Sequence, residues 1–310
     1  MGKARNPVGS RKPSRRLASV AAPVEGVGPG VLLRMDPQGP RGFWAREGRW
    51  FAHLGALASV EVTDPREGRR RFRKVWEEAR ALLADRTDLE GPVPPTPPRL
   101  FGGFAFRDGH LPGDSWEGFP AAHFVLPEVE LTGGEEGGVL TCRGFLDPGE
   151  DPGRCRDRLQ DRLEQIQEAL MSPPDDVPPG EPWVPATRVE TDLESWEETV
   201  EKVLGEMERG GISKVVLARV QSVSAEGGLD PVDVVMNLWK ENPTSHVFLF
   251  EPDPGHVLLG AAPETVAGLE HGRFRATAVA GTASPSTIML VIFLLPSSVI
   301  NCFRSIKPLI

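Results

Sequence analysis

An α+β fold is what these 310 residues predict. Three observations lead to it. Stretches of strand character and stretches of helical spacing are both plentiful, and tight glycine turns join strand directly to strand. The two kinds also follow one another without the regular βαβ alternation that a doubly wound parallel sheet demands. Residues 24–62 mix glycine turns with short apolar stretches, Gly30-Val-Leu-Leu-Arg34 among them, and read as strands of an antiparallel sheet. Asp64-Pro65 then opens a helix, with an acceptor side chain at the N-cap, proline in the first turn, and Phe72, Val75, Trp76, Ala79, Leu82 and Leu83 on one face. Pro92 to Pro98 is a stiff connector. After it, Arg99-Leu-Phe-Gly-Gly-Phe-Ala-Phe106 reads as a strand whose paired glycines permit close backbone approach. Residues 125–144 form a hairpin around Gly133-Gly-Glu-Glu-Gly-Gly138, and a helix runs from Gly153 to Leu170 with Leu159, Leu163, Ile166 and Leu170 on its inner stripe.

Beyond the proline-rich stretch 172–185, Asp192 or Ser195 caps an amphipathic helix with Trp196, Val200, Val203, Leu204 and Met207 inward, closed by Gly210-Gly211. A β-rich run, Ser213 to Val220, comes next. Asp230-Pro231 starts a further helix through Val234, Val235, Leu238 and Trp239, halted by Pro243. Three apolar strands follow, starting at His246, His256 and Arg273, joined by Asp253-Pro-Gly255 and Glu270-His-Gly272 turns. No repeat of solenoid type is present.

Composition bounds the function classes. A 39% hydrophobic content excludes wholesale disorder despite 34 glycines and 31 prolines. Acids outnumber bases 44 to 35, and no basic face is spread through the body, so no nucleic-acid partner is expected. The early cations Lys3, Arg5, Arg11, Lys12, Arg15 and Arg16 precede the first acid, Glu25, and no continuous apolar core follows them. They read as a disordered leader rather than a secretory signal. Cys142, Cys155 and Cys302 show no metal-ligand spacing, and the six histidines form no HxxxH or HxH pair. A reducing cytoplasm fits best. The expected organisation is a disordered basic leader over 1–23, an N-terminal α+β region over 24–175, a proline-rich linker or crossing loop over 176–189, a second region over 190–285, and an atypical apolar tail over 286–310.

Few residues carry chemistry. Lys214 sits at the start of a strongly apolar strand, as a solvated strand end or as a partly desolvated amine able to act as general base. Glu264 follows proline in Leu259-Gly-Ala-Ala-Pro-Glu264, as a surface acid or as the complementary acid to that base. Ala276-Thr-Ala-Val-Ala-Gly-Thr282 ends with Gly281 and Thr282, a plain strand-terminating turn or a strand end offering backbone N–H groups and a hydroxyl to an anion. No phosphate-binding or serine-hydrolase motif occurs.

Taken in order, these motifs resemble the chorismate-utilising enzymes, and among them the isochorismate-forming branch. The resemblance rests on the helix from Trp196, Gly211-Ile-Ser-Lys-Val-Val-Leu-Ala-Arg219, Phe248-Leu-Phe250, the Leu259–Glu264 run and Thr277–Thr282. Upstream, Arg99–Phe106, Trp116, Phe119-Pro120 and Phe124–Pro127 add to it. It implies large antiparallel sheets with flanking helices and a magnesium-dependent conversion of chorismate to isochorismate. By the same resemblance Lys214 activates the water that attacks C2, Glu264 protonates the departing C4 hydroxyl, and Gly281 and Thr282 lie beside the substrate. Relatives that install an amine tend to lack the lysine at 214, and those with a lysine nucleophile carry it at the position of Ala280. Water is therefore the expected nucleophile, no glutamine amidotransferase subunit is expected, and the protein is expected to be a monomer. A salicylate synthase shares the lysine, so pyruvate elimination stays open, and Ala262 stands where many relatives have serine.

The end of the chain departs from that pattern. Up to Pro285 the only isoleucines are Ile166 and Ile212, whereas residues 286–310 hold five isoleucines and no acid. The apolar run there is too short to span a bilayer and is interrupted by Pro296. An out-of-frame or truncated ending is the expectation, with the magnesium ligands absent, so that this chain is an inactive or non-catalytic fragment.

Overall fold

A computed structural model describes residues 15–113, 116–134, 137–171, 188–190, 193–211, 215, 217–224, 229–265, 267–276, 290–295 and 299–305. The expected α+β class is what it contains. One 13-stranded sheet dominates. Its N-terminal half is built from β1 (Arg16–Val24), β2 (Arg41–Arg46), β3 (Arg49–Val62), β4 (Arg86–Asp88), β5 (Phe101–Phe104), β6 (Ala122–Gly134) and β7 (Gly137–Leu146). The other half comprises β8 (Arg188–Glu190), β9 (Ala218–Ser224), β10 (His246–Asp253), β11 (His256–Ala262), β14 (Leu290–Leu295) and β15 (Val299–Ser305). The order is β4-β1-β7-β6-β3-β2-β10-β11-β14-β15-β9-β8, with β5 on β6, and every pairing is antiparallel except β1 with β4. A separate hairpin joins β12 (Gly268–Glu270) to β13 (Arg273–Arg275) through His271 and Gly272, both at positive φ.

Helices α1 (Pro29–Met35), α3 (Pro152–Met171) and α5 (Pro231–Glu241) cover one face of the sheet. Leu32 and Leu33 of α1, the Cys155, Leu159, Leu163, Ile166 and Leu170 stripe of α3, and Val232 and Val235 of α5 meet the inward side chains of β1, β2, β3, β6, β7, β10 and β11 in one core. Cys142 and Cys155 are buried there as free thiols, and burial pushes the Cys142 thiol up to about 12. Asp230 caps α5 as expected, accepting from Val232 N at 2.8 Å, and Trp239 packs on Phe43 with ring centroids 5.3 Å apart.

Several expectations are corrected. Gly30–Arg34 is helical in α1 rather than a strand, because Pro29 stands at the first helical position after an extended Gly28 and two leucines one step apart both reach the core. The disordered leader does not extend to residue 23. Arg16–Val24 is an interior strand whose small apolar side chains pack on both faces, while residues 1–14 lie outside the described residues. Asp64-Pro65 opens only a 3-10 turn, Pro65–Glu67, and the helix proper, α2 (Arg70–Leu82), begins after Gly68 at positive φ.

On α2 the inward positions belong to Arg71 and Val75, leaving Phe72 and Trp76 exposed. Arg71 donates to the carbonyls of Gly68 and Ala105 and pairs with Asp108, and those bonds set the roll of the helix. On α4 (Leu193–Glu208), Trp196, Val200, Val203 and Met207 are half-buried and Leu204 is exposed. The expected linker, 176–189, lies outside the described residues up to 187. The apolar stretch after 286 supplies β14 and β15, inserted between β11 and β9.

Candidate functional site

The face of the sheet opposite α1, α3 and α5 carries an unusual concentration of rings and charges. Alternation along β10 sends His246, Phe248 and Phe250 to this side, and Trp44 sits opposite Phe248 on β2. Together with Phe101, Phe104, Trp116, Phe119, His123 and Leu258 they line a cavity of about 250 Å³. Phe101 meets Phe51, His53 and Phe250 edge-on at centroid distances of 5.3, 5.4 and 5.7 Å. Burial is the main cause holding the His123 imidazole below its usual range, against the opposing pull of Glu61 and Asp253. The walls are those of a site for an apolar group rather than a dianion.

The approach of β5 to β6 explains the paired glycines. A Cβ on Gly102 would collide with the carbonyl oxygen of His123, so only glycine fits, whereas Gly103 faces open space. The strap leading into β5 is fixed from below by a buried network. Glu130 and Arg143, both fully buried, pair at 3.1 Å. Arg143 also donates to the carbonyl and hydroxyl oxygens of Thr96, and Arg99 reaches Glu130 at 3.1 Å. Beside them His53 is pushed down to about 3 by burial first and then by the Arg143 charge, with the Gly55 backbone opposing in part.

At its other end the aromatic face becomes polar. Arg46 Nη1 lies 2.9 Å from His246 Nε2 and 3.0 Å from Thr265 Oγ1, and His246 Nε2 lies 2.8 Å from the same hydroxyl. A guanidinium only donates, so His246 Nε2 is the acceptor and its ring is neutral, with the proton on Nδ1. Burial and then the Arg46 charge hold its pKa below the usual value, in agreement. This triangle grips the turn after β11, where Glu264 stands exposed directly before Thr265.

Of the residues singled out by sequence, Glu264 alone is described. Lys214, Gly281 and Thr282 lie outside the described residues. The strand that follows Lys214 is placed, however. Ala261 of β11 pairs with Leu290, Leu290 with Arg304, and Arg304 with Arg219 of β9. The start of β9 and the end of β11 therefore share one end of the sheet, three strand spacings or roughly 14 Å apart. Sequence reasoning missed Arg46 and Thr265. His246 was missed as well, although the His246-Phe248-Phe250 alternation is a signal that could have placed it on the aromatic face.

Among the described residues no group of three or more His, Cys, Asp or Glu side chains converges to hold a metal ion. Those residues do not fit the magnesium that the resemblance implies. Also among the described residues, no helix is long and apolar enough to cross a membrane.

Comparison with known proteins agrees with the fold. The family described as Chorismate binding enzyme matches residues 3–288. The isochorismate synthase MenF of Bacillus subtilis (strain 168) is 29% identical over 185 residues, 60% of this chain and 38% of that protein. Anthranilate synthase component 1 of Archaeoglobus fulgidus is 33% identical over 90 residues, 29% of this chain and 21% of that protein. The solved structure of MenF, the menaquinone-specific isochorismate synthase from Escherichia coli, superposes with a TM-score of 0.50 at 18% identity, over 82% of this chain and 52% of that one. The chain thus spans well under half the length of the curated relatives it matches and about half of the solved structure.

Proposed function

We infer, from the premise that this chain belongs to the chorismate binding enzyme family, that it serves the conversion of chorismate to isochorismate. Lys214 takes a proton from the water whose oxygen bonds to C2 of the ring. The ring double bonds shift, and the C4–O bond breaks as Glu264 gives its proton to the leaving hydroxyl, which departs as water. The two side chains exchange their protons with solvent to restore the starting state. Gly281 and Thr282 are the proposed substrate contacts, and a magnesium requirement belongs to the reading although the described residues supply no site for it.

The observation that carries this reading is the identity with a curated isochorismate synthase over 185 residues, which exceeds in extent the 90 residues shared with an anthranilate synthase component. Two features support it further. The β9 start and the β11 end leave the sheet at the same end, as an acid and a base acting on one ring require. The Arg46–His246–Thr265 triangle gives Glu264 a fixed neighbour.

Incubating the protein with chorismate and magnesium and following the ring protons by NMR tests the proposal. Isochorismate is the expected product when the chain is carried in the full length of its relatives, with its formation abolished by Lys214→Ala. Anthranilate formed with ammonia, or undiminished turnover in Lys214→Ala, overturns it, and pyruvate release converts it to the salicylate-forming variant.

A further inference from the structure

Large apolar side chains stand exposed at several places among the described residues, but Phe72 and Trp76 of α2 and Phe104 and Phe106 of β5 and its following loop gather at one. Trp76 is 58% exposed and Phe106 fully so. The Phe72 and Phe104 rings lie 4.6 Å apart, and Arg71 ties the loop to the helix through the Ala105 carbonyl and Asp108. Helix and loop therefore present one surface.

That surface is ringed by cations. With 3.6 residues per turn, Arg69, Arg73 and Arg80 flank the Phe72–Trp76 stripe, and all three are exposed, as are Arg70 and Arg107. The Arg80 guanidinium lies 5.2 Å from the centre of the Trp76 ring. Residues 66–80 carry seven cations, of which Arg71 is buried, against Glu67, Glu77 and Glu78, with Asp108 of the loop pairing Arg69 and Arg71, in a chain of net charge −9. The positive charge is local, and it coincides with the exposed rings.

Two copies of this chain would set like charges against each other here, so self-association through the patch is disfavoured. A nucleic acid would accept the cations but has less use for a fully exposed Phe106. An anionic bilayer surface matches every part. Aromatic side chains enter the headgroup–acyl boundary, the tryptophan sits at that level, and the guanidinium groups meet lipid phosphates. We propose that the exposed face of α2 and the 104–111 loop form a peripheral docking surface for an anionic lipid bilayer.

Co-sedimentation with vesicles of phosphatidylcholine alone and with vesicles enriched in phosphatidylserine tests this on the full 310-residue chain. Binding is expected to the anionic vesicles, to weaken with added salt, and to be slight with phosphatidylcholine alone. Each cation near such a surface is worth about five-fold in partitioning. Arg69→Gln with Arg73→Gln should therefore lower binding roughly 25-fold, and Trp76→Ser should lower it independently. All three positions are exposed, so circular dichroism should show an unchanged fold. No binding to anionic vesicles, equal binding to both vesicle types, or capture of a homopolymer RNA in preference to vesicles overturns the proposal. Binding undiminished in the triple variant does so as well, since it assigns the attraction to the cations before residue 15.

Discussion

The hydroxyl of Thr265 lies 2.8 Å from Nε2 of His246, so the residue that follows Glu264 is anchored to the neighbouring strand rather than left to the turn. Arg46 completes the contact from a third strand at 3.0 Å. Replacing Thr265 with valine keeps the shape and removes the anchor. On the proposed reaction, Thr265→Val should lower kcat about ten- to a hundredfold through misplacement of Glu264, with KM for chorismate little changed. Steady-state kinetics across pH checks it. Protonating His246 removes the acceptor, so the wild-type rate should fall on the acid side as pH drops below 6.5 through the lowered folded value, and the variant should lack that limb.

His53 should govern much of the acid sensitivity of the fold. Its pKa is about 3 when folded against 6.5 for the free group, so the folded state refuses a proton that the unfolded chain accepts. The sign follows directly. Stability is complete above pH 6.5 and declines as pH falls from there toward 3, by up to about 1.4 kcal/mol per pH unit from this group. Urea titrations at a series of pH values should show the slope, and His53→Leu should remove about one proton's worth of it.

Both side chains of the Glu130–Arg143 ion pair are fully buried, so breaking it from one side should be costly. Glu130→Leu leaves the guanidinium without its carboxylate and should destabilise by about 3–5 kcal/mol. Adding Arg143→Met to that variant should recover a substantial part. Urea midpoints of the two single variants and the double variant measure the coupling, and simple additivity would show that the two side chains do not act together.

Gly102 and Gly103 are adjacent in sequence and opposite in tolerance. Gly102→Ala forces β5 away from the His123 carbonyl and should cost about 1–3 kcal/mol, whereas Gly103→Ala meets nothing and should be close to neutral. Thermal melts compare them. Tryptophan fluorescence should shift in the first variant and not in the second, because the displaced strand is a wall of the cavity that Trp44 and Trp116 line.

Much of this architecture could be read in the sequence where one physical signal dominated. The α3 stripe, the 133–138 hairpin turn, the Asp230 cap and the close-approach glycine each follow from spacing or from one residue's special chemistry. Local reading failed where distant groups decide. Gly30–Arg34 has strand-like composition, but a proline start and the demand of the sheet for a covering helix prevail. The roll of α2 is set by Arg71 reaching carbonyls and Asp108 more than thirty residues away, which no periodicity records. Of the expected site only Glu264 lies among the described residues, and the triangle beside it joins Arg46 to residues about two hundred positions away in sequence.

The two thiols sealed between α3 and the sheet, Cys155 on the helix and Cys142 on β7, give the molecule a built-in clock for its own opening. Cys142 stays protonated at any physiological pH, because its pKa is about 12, so oxidants and alkylating reagents find no thiolate to attack while the helix remains seated. In a Cys302→Ser background, the rate of labelling therefore counts excursions in which α3 lifts from β7, one event per modified sulfur.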